Sequence, residues 1–364
     1  MEVRIVTGFS VNLADLQSYA NVLDNQQPAT TTASHYLARN ATLPPATADS
    51  LFAQVALHHT EICNIVRQGL HDTSHALGGS AQALLKVKAA YQGLDTASAA
   101  RIDATVSDQT RNDDEEGVHG SFSGLPDPAK ELKAPDVPAD YPDPFKPARD
   151  LMDNITGAAE VSALVTQALG WDPYQRYAEA VAGDWHAFAR AGDAFWSVGS
   201  CVGTISQNVA SGQVALCQSW QGNASDQAYD YFDYLQATIG NFGVDVGNLK
   251  QGYLEFADSA FAASQGVADL LHTLTDDVVK VIGVFAVGGT PEIASRIVHL
   301  LPEFVKAFLD KYGLIIATAE ILAGLARNIQ ASDDVRQAAY MLRGADVYEQ
   351  PQWAPYKPPP QLVH

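Results

Sequence analysis

The chain has 364 residues, of which 47% are hydrophobic and 18% charged, and its formal net charge is −20. Its length is sufficient for two domains, and its composition for a buried core in most of the chain. The acidic balance argues against nucleic acid and against an anionic membrane surface as partners, because both recruit clustered Lys and Arg.

Membrane and signal-peptide features are also missing from the sequence pattern. The first eight residues contain no basic segment followed by an apolar run, so we expect no secretory signal peptide. The longest apolar run, 313–326, is interrupted by Glu320 and is too short for a transmembrane segment, so it fits a buried helix better.

The first part of the chain has helical hydrophobic spacing and almost no strand signal. Apolar residues recur every three to four positions over about 11–40 and again over about 48–104. A proline turn at 43–45 separates the two segments, and Pro28 should kink or interrupt the first. Two long helices joined by a short turn predict an antiparallel hairpin, which we assign to a module of residues 1–106.

The helical pattern stops over 107–148. This stretch contains four consecutive acidic residues at 113–116 and seven prolines between 126 and 147, with few large apolar side chains. We expect a mobile, acidic, partly extended linker that packs weakly. A calcium loop is the alternative for the acidic run, but such a loop needs alternating ligands and a placed glycine.

Helical spacing returns in a larger domain, residues 149–345, which is followed by a Pro-rich tail, 346–364. One long helix should end near Ser219 and the next should begin near Ala224, with further helices toward the C-terminus. We therefore predict an all-α fold of two long antiparallel helical hairpins, similar to a four-helix bundle, with additional C-terminal helices.

The junction between the two long helices of the second domain carries Trp220-Gln221-Gly222. Glycine supplies the positive φ that ends a helix, and Asn223 or Ser225 can cap the helix that follows. The purely structural interpretation is a turn whose aromatic residue covers two helix ends.

A Trp-x-Gly turn between two long helices resembles the helical-hairpin proteins that the actinobacterial type VII (ESX) secretion system exports. The N-terminal part, about residues 1–105, resembles the EspC-like branch through the stretches 8–23, 36–38 and 89–101. The second hairpin resembles the Trp-x-Gly (WXG) proteins and the N-terminal regions of type VII-exported toxins, over about 150–330.

The resemblance implies an export signal with two halves. In these families one partner presents Trp-x-Gly at its hairpin turn, and the other presents Tyr-x-x-x-Asp/Glu after its second helix. The first half corresponds to Trp220 and Gly222, and the second to Tyr91 and Asp95. A second Tyr-x-x-x-Asp match begins at Tyr229, directly after the turn, where a buried hairpin contact is expected instead.

The resemblance further implies a non-enzymatic secretion substrate with no cofactor, which acts through surfaces. It would be cytoplasmic before export and would reach the cell surface or medium by a signal-peptide-independent route. Its partners would be the type VII machinery and a helical partner protein or a second copy of the chain. The alternatives are a delivery or chaperone module for a separately encoded toxin, and a self-assembling extracellular structural protein.

Two patterns suggest catalytic or metal chemistry. The Gly-x-Cys-x-Gly stretch at 199–203 fits a variant of the hydrolase nucleophile elbow, but that elbow requires a preceding strand. Helical spacing on both sides favours helix-packing glycines and a buried Cys201. In the His-rich segment 58–75, His71 and His75 have the spacing of two metal ligands on one helix face. No third ligand has a clear spacing, so we expect a surface pair that binds no tight metal.

Both halves of the signal lie in one chain, so the first hairpin could dock on the second as an intramolecular substitute for a heterodimer. Tyr91 would then lie near Trp220. In the alternative, each module buries its own apolar stripe and the two share only a linker. The stripes that would pack together are Ile62, Ile65 and Leu84 of the first module and Val202, Val209 and Leu216 of the second.

Overall fold

The computed structural model describes residues 9–43, 52–94, 96–104, 120–136 and 185–285, together with five isolated positions. These residues are mostly helical, which confirms the all-α prediction. The helices are α1 (Leu13–Asn40), α2 (Phe52–Tyr91), α3 (Thr96–Asp103), a 3-10 helix (Pro128–Glu131), α4 (Trp185–Cys217) and α5 (Asn223–Phe285). The strands in the described ranges are β1 (Ser10–Val11) and β2 (Trp220–Gln221).

Several predicted segments lie outside the described ranges. They include most of 149–184, the C-terminal helices beyond residue 285 and the tail at 346–364. The domain boundaries at these places stay predictions. No helix in the described part of the chain is both long enough and apolar enough to cross a bilayer.

Local hydrogen bonds explain where helix α1 begins and where it ends. The side chain of Asn12 accepts a hydrogen bond from the amide of Ala14 at 3.0 Å, which satisfies one of the free amides at the helix start. Pro28 lies inside α1 without ending it, so of the two predicted effects, a kink or an interruption, the interruption does not occur. The helix ends at Asn40, and the amide of the next residue, Ala41, donates to the carbonyl of Leu37 at 2.9 Å.

Contacts at both ends show that α1 and α2 run antiparallel. The ring of His59, near the start of α2, bonds to the carbonyl of Ala41 just after α1. At the opposite end, the ammonium of Lys88 donates to Gln17 at 2.8 Å.

Helices α4 and α5 are antiparallel by the same test. The amide side chain of Gln213 donates to the carbonyl of Tyr229 at 3.0 Å near the junction. Farther away, Lys250 forms an ion pair with Asp193 at 2.7 Å.

The two pairs of helices also contact each other. The hydroxyl of Tyr19 on α1 donates to the carbonyl of Val209 on α4 at 3.0 Å. The hydroxyls of Ser80 on α2 and Tyr231 on α5 lie 2.7 Å apart. One hydrophobic cluster draws on all four long helices, and it includes the six stripe residues named above, with Ile65 partly buried and Ile62, Leu84, Val202, Val209 and Leu216 buried.

The segment 120–136 differs from the weakly packed linker that its composition predicted. It lies against α1 and α4, where Asn208 donates to the carbonyl of Pro126 at 2.9 Å and Tyr36 donates to the carbonyl of Lys133. Side chains of α1 and α4 thus hold the main chain of this stretch, and its apolar residues Phe122, Leu125 and Leu132 pack against the core. The remainder of 107–148 lies outside the described residues.

Glycine lets α4 and α5 approach closely at one level of the bundle. A Cβ atom on Gly199 would lie 2.5 Å from the carbonyl oxygen of Gly243 and 2.7 Å from the amide nitrogen of Gly247. Real Cβ atoms do not come that close to backbone, so the helices pack here only because Gly199 has no side chain. Gly203, one turn later, has nothing within 4 Å of such an atom. The helix-packing role thus belongs to Gly199 and not to Gly203.

We expect Gly199→Ala to lower the free energy of unfolding by about 1–3 kcal/mol, because its methyl group must push two backbones apart. The control Gly203→Ala should be neutral or raise it by up to about 1 kcal/mol through helix propensity. Urea denaturation followed by circular dichroism measures both. Equal effects of the two substitutions would contradict the close approach at Gly199.

Candidate recognition site at the Trp-x-Gly turn

The Trp-x-Gly tripeptide lies between α4 and α5, as its sequence position predicted. Helix α4 ends at Cys217, so Gly222 is not the residue that terminates it. Gly222 instead directly precedes α5, and its carbonyl accepts the first hydrogen bond of that helix from the amide of Asp226 at 3.1 Å. Its φ of 125° lies in the region that favours glycine.

Gly222 has no side chain with which to cap α5, and a residue from the first module supplies the cap. The carboxylate of Asp103, in α3, accepts hydrogen bonds from the amides of Asn223 at 2.9 Å and Ala224 at 3.0 Å. A carboxylate here also interacts favourably with the positive end of the helix dipole. The prediction of Asn223 or Ser225 as the cap was wrong, because the capping residue is 120 positions away in the chain.

Gly222 is also needed for the approach of Asp103. A Cβ atom at position 222 would lie 2.5 Å from one carboxylate oxygen of Asp103. Asp103 itself is 6% exposed, so its carboxylate has little room to move aside. Glycine is therefore needed at position 222 for two reasons: it adopts the positive φ, and it leaves space for the carboxylate of Asp103.

The N-terminal end of the chain completes the turn. Strand β1 pairs antiparallel with β2, so that Ser10 lies opposite Gln221 and Val11 opposite Trp220. The amide of Asn12 extends the pairing with a 3.1 Å bond to the carbonyl of Ser219. Two-residue strands have no periodic signature, and sequence reasoning missed this pairing.

Trp220 is buried rather than displayed, with 1% of its surface exposed. Its carbonyl accepts a 2.6 Å bond from the hydroxyl of Ser225, but its indole nitrogen has no hydrogen-bond partner. A buried donor without a partner destabilises by about 1–3 kcal/mol. A small cavity of about 10 Å³, near the size of one water, borders the ring; its other lining residues are Gln213, Leu216, Cys217, Ser225, Ala228, Tyr229 and Phe232.

Tyr91, the other aromatic residue of the predicted signal, lies at the last position of α2 and is 4% exposed. Its ring centroid is 5.4 Å from that of Phe9, the residue before β1. Tyr91 and the Trp220 turn thus both contact the same short stretch, 9–11. Asp95 lies outside the described residues, and the carboxylate found at the turn belongs to Asp103.

Cys201 does not have the environment of a nucleophile. It lies inside α4 with helix on both sides, so the strand of a nucleophile elbow is missing, and it is fully buried. Burial raises the pKa of this thiol to about 12, which keeps it protonated at neutral pH. Burial likewise raises the pKa of Cys63 to about 12.

The His-rich segment of α2 separates into two kinds of histidine. His71 and His75 are neighbours on the surface, with ring centroids 4.4 Å apart. Among the described residues, no group of three or more potential metal ligands converges.

His59 is a core residue, bonded through Nδ1 to the hydroxyl of Tyr253 at 2.7 Å and through Nε2 to the carbonyl of Ala41. Nε2 must donate to that carbonyl, and in the neutral imidazole Nδ1 then accepts from the hydroxyl. Burial lowers the pKa of His59, and the bond to Ala41 opposes this effect.

We expect Asp103→Ala to lower the free energy of unfolding by about 1–2 kcal/mol, because two helix-end amides lose their acceptor. Asp233→Ala is the matched control: Asp233 is an exposed carboxylate on α5 that contacts only a side chain three residues away among the contacts described, and its loss should change stability by less than about 0.5 kcal/mol. Denaturant unfolding of both variants is the measurement. Equal losses would mean that the carboxylate of Asp103 contributes nothing specific.

We expect the protein to lose stability as pH falls below about 6.5, in part because of His59. The unfolded chain binds a proton at the ordinary His pKa, whereas folded His59 resists protonation, so acid favours the unfolded state. The slope of unfolding free energy against pH should be shallower in His59→Gln. His35→Gln, at an exposed position, should keep the wild-type slope. Unchanged slopes in both variants would contradict this role of His59.

No protein-family model, curated protein or solved structure matches the chain. The resemblance to type VII secretion proteins, which was drawn from the Trp-x-Gly turn and the end of helix α2, therefore stays a prediction.

Proposed function

We propose that the protein is a non-enzymatic type VII secretion substrate that carries a composite export signal in one chain. In this proposal α1 and α2 form one hairpin and α4 and α5 the other, and the two dock as a four-helix bundle. The chain would leave the cell by a signal-peptide-independent route, with the type VII machinery as its partner. The observation that carries the proposal is the pairing of Ser10–Val11 with Trp220–Gln221.

That pairing matters because the families with this motif divide the signal between two proteins. Here β1 and Asp103, both from the first module, contact the Trp-x-Gly turn of the second. Phe9 connects the same turn with Tyr91 through a ring contact. The first module thus occupies the position that a separate partner would take, and export would need no second protein to complete the signal.

Polar residues are among those exposed at this end of the described chain. Gln221 is exposed in the turn itself, while Gln92 and Gly93 are exposed just after α2. Trp220 and Tyr91 lie beneath them. We infer that the export machinery recognises the surface that these buried rings support, and that the rings act by fixing its shape.

A non-enzymatic role agrees with the state of the candidate nucleophile. Cys201 is buried inside a helix with a raised pKa, so it cannot be reached or ionised readily at neutral pH. The recognition surface, by contrast, is built from contacts between distant parts of the chain.

A secretion assay in an actinobacterium with a working type VII system tests the proposal. Trp220→Ala should abolish export of the protein into the medium. Because removing a buried Trp or Phe lowers stability by about 3–5 kcal/mol, the matched control is Phe242→Ala. Phe242 is fully buried on α5, about 28 Å along the helix from the turn.

Export of Phe242→Ala together with retention of Trp220→Ala in the cell would support recognition of the turn. Thermal unfolding of both purified variants is the control measurement, and their stabilities should be comparable. Normal export of Trp220→Ala, or export of the wild type from a strain without type VII machinery, would refute the proposal.

A further inference from the structure

Residues 120–136, here called the strap, lie along the groove between α1 and α4. At its start, the amide of Ser121 donates to the carbonyl of Ser211 at 3.2 Å and to its hydroxyl at 3.1 Å. Gly120 touches α4 so closely that a Cβ atom would overlap the backbone of Ser211 and Ala215. Only glycine fits at this first position.

The rest of the strap follows α4 in the antiparallel direction. Asn208 donates to the carbonyl of Pro126 at 2.9 Å, and Pro128 is buried. At the far end, the carboxylate of Asp193 accepts a 2.8 Å bond from the amide of Asp136. The direction is clear because the strap advances from 121 to 136 while its partners on α4 go back from 211 to 193.

Helix α1 forms the other wall of the groove. The ring of Phe122 lies 6.3 Å from that of Tyr19, and the hydroxyl of Tyr36 donates to the carbonyl of Lys133. Asn208 also donates to Gln26 of α1 at 2.9 Å, so one amide group holds both the strap and the opposite wall. The groove therefore recognises main-chain atoms together with a few side-chain positions, as peptide-binding sites do.

The chain between α3 and the strap is longer than the observed contacts require. Asp103 bonds at Asn223 and Gly120 packs at Ala215, positions that are eight residues apart, or at most about 29 Å. The 17 bonds from residue 103 to residue 120 can span up to about 60 Å. The strap has enough chain to reach a groove on a neighbouring molecule.

We propose that the α1–α4 groove is a peptide-binding site that also accepts the strap of a second copy of this chain. The same contacts form within or between molecules, which makes exchange of the segment an inexpensive route to association. The intramolecular strap has the advantage of a high effective concentration, so exchange is favoured at high protein concentration or when a groove is empty. This inference rests on the strap contacts and is independent of the proposed secretion function.

The test uses a receiver variant, the full chain with residues 120–136 replaced by a Gly/Ser sequence of equal length. The probe is a fluorescent synthetic peptide with the sequence of residues 120–136. We expect saturable 1:1 binding to the receiver, at least tenfold weaker binding of a Gly120→Val peptide, and little binding to the wild-type chain, whose groove is filled. A folded receiver that binds neither peptide, or binds both equally, would overturn the proposal.

A mixture of two full-length chains tests exchange between copies. The donor is the Asn208→Ala variant. Its strap is intact, but the strap binds the donor's own groove more weakly because the hydrogen bond from Asn208 to Pro126 is lost. Donor and receiver mixed in equal amounts should give the mass of a dimer by light scattering, and a donor that also carries Gly120→Val should not. A mixture that stays monomeric would refute strap exchange.

The receiver could fail to fold without its strap, so a second measurement uses the intact chain. Protease sites are inserted within 105–119 and within 137–148, and the folded protein is then cut. The released strap should stay bound and exchange with added fluorescent peptide, as detected by native mass spectrometry. Loss of the strap without uptake of the labelled peptide would argue against a peptide site.

Discussion

The contact between the Asp103 carboxylate and the first amides of α5 is the constraint on which the turn depends. Gly222 leaves the helix without a capping side chain, so the cap must come from elsewhere. The carboxylate can reach the amides only because position 222 has no Cβ atom. One pair of residues, 120 positions apart, thus ties the end of the first module to the start of the longest helix in the described chain.

Buried polar contacts also connect the first module with the second at other places along the helices. Tyr19 bonds to Val209, Ser80 to Tyr231 and His59 to Tyr253, each between the first module and the second. A buried polar group that loses its partner destabilises the fold more than the bond itself stabilises it. Separating the modules would leave several such groups unsatisfied or newly hydrated, which favours a single cooperative unit over two independent hairpins.

Sequence reasoning worked where the signal is periodic and local. Hydrophobic spacing predicted helices near the observed α1 and α2, and the turn residues placed the junction within a few positions of Trp220. It failed for Asp103, for the β1–β2 pairing and for the strap. These contacts join residues about 60 to 210 positions apart, and many of them involve main-chain atoms or glycine. For the strap, the Pro-rich, acidic composition gave the wrong prediction, because average composition reports neither backbone hydrogen bonds nor the packing of a few apolar side chains such as Phe122 and Leu125.

The burial of Trp220 limits how the proposed Trp-x-Gly signal could be recognised. Only 1% of the surface of Trp220 is exposed, so a binding partner could not contact the indole ring unless the turn opened. It can, however, fix β2 against β1 and so determine where the exposed side chain of Gln221 points. The sequence motif would then specify a local shape, and recognition would depend on fold stability at this end of the bundle. Under the proposed function, the same buried ring would serve both folding and recognition.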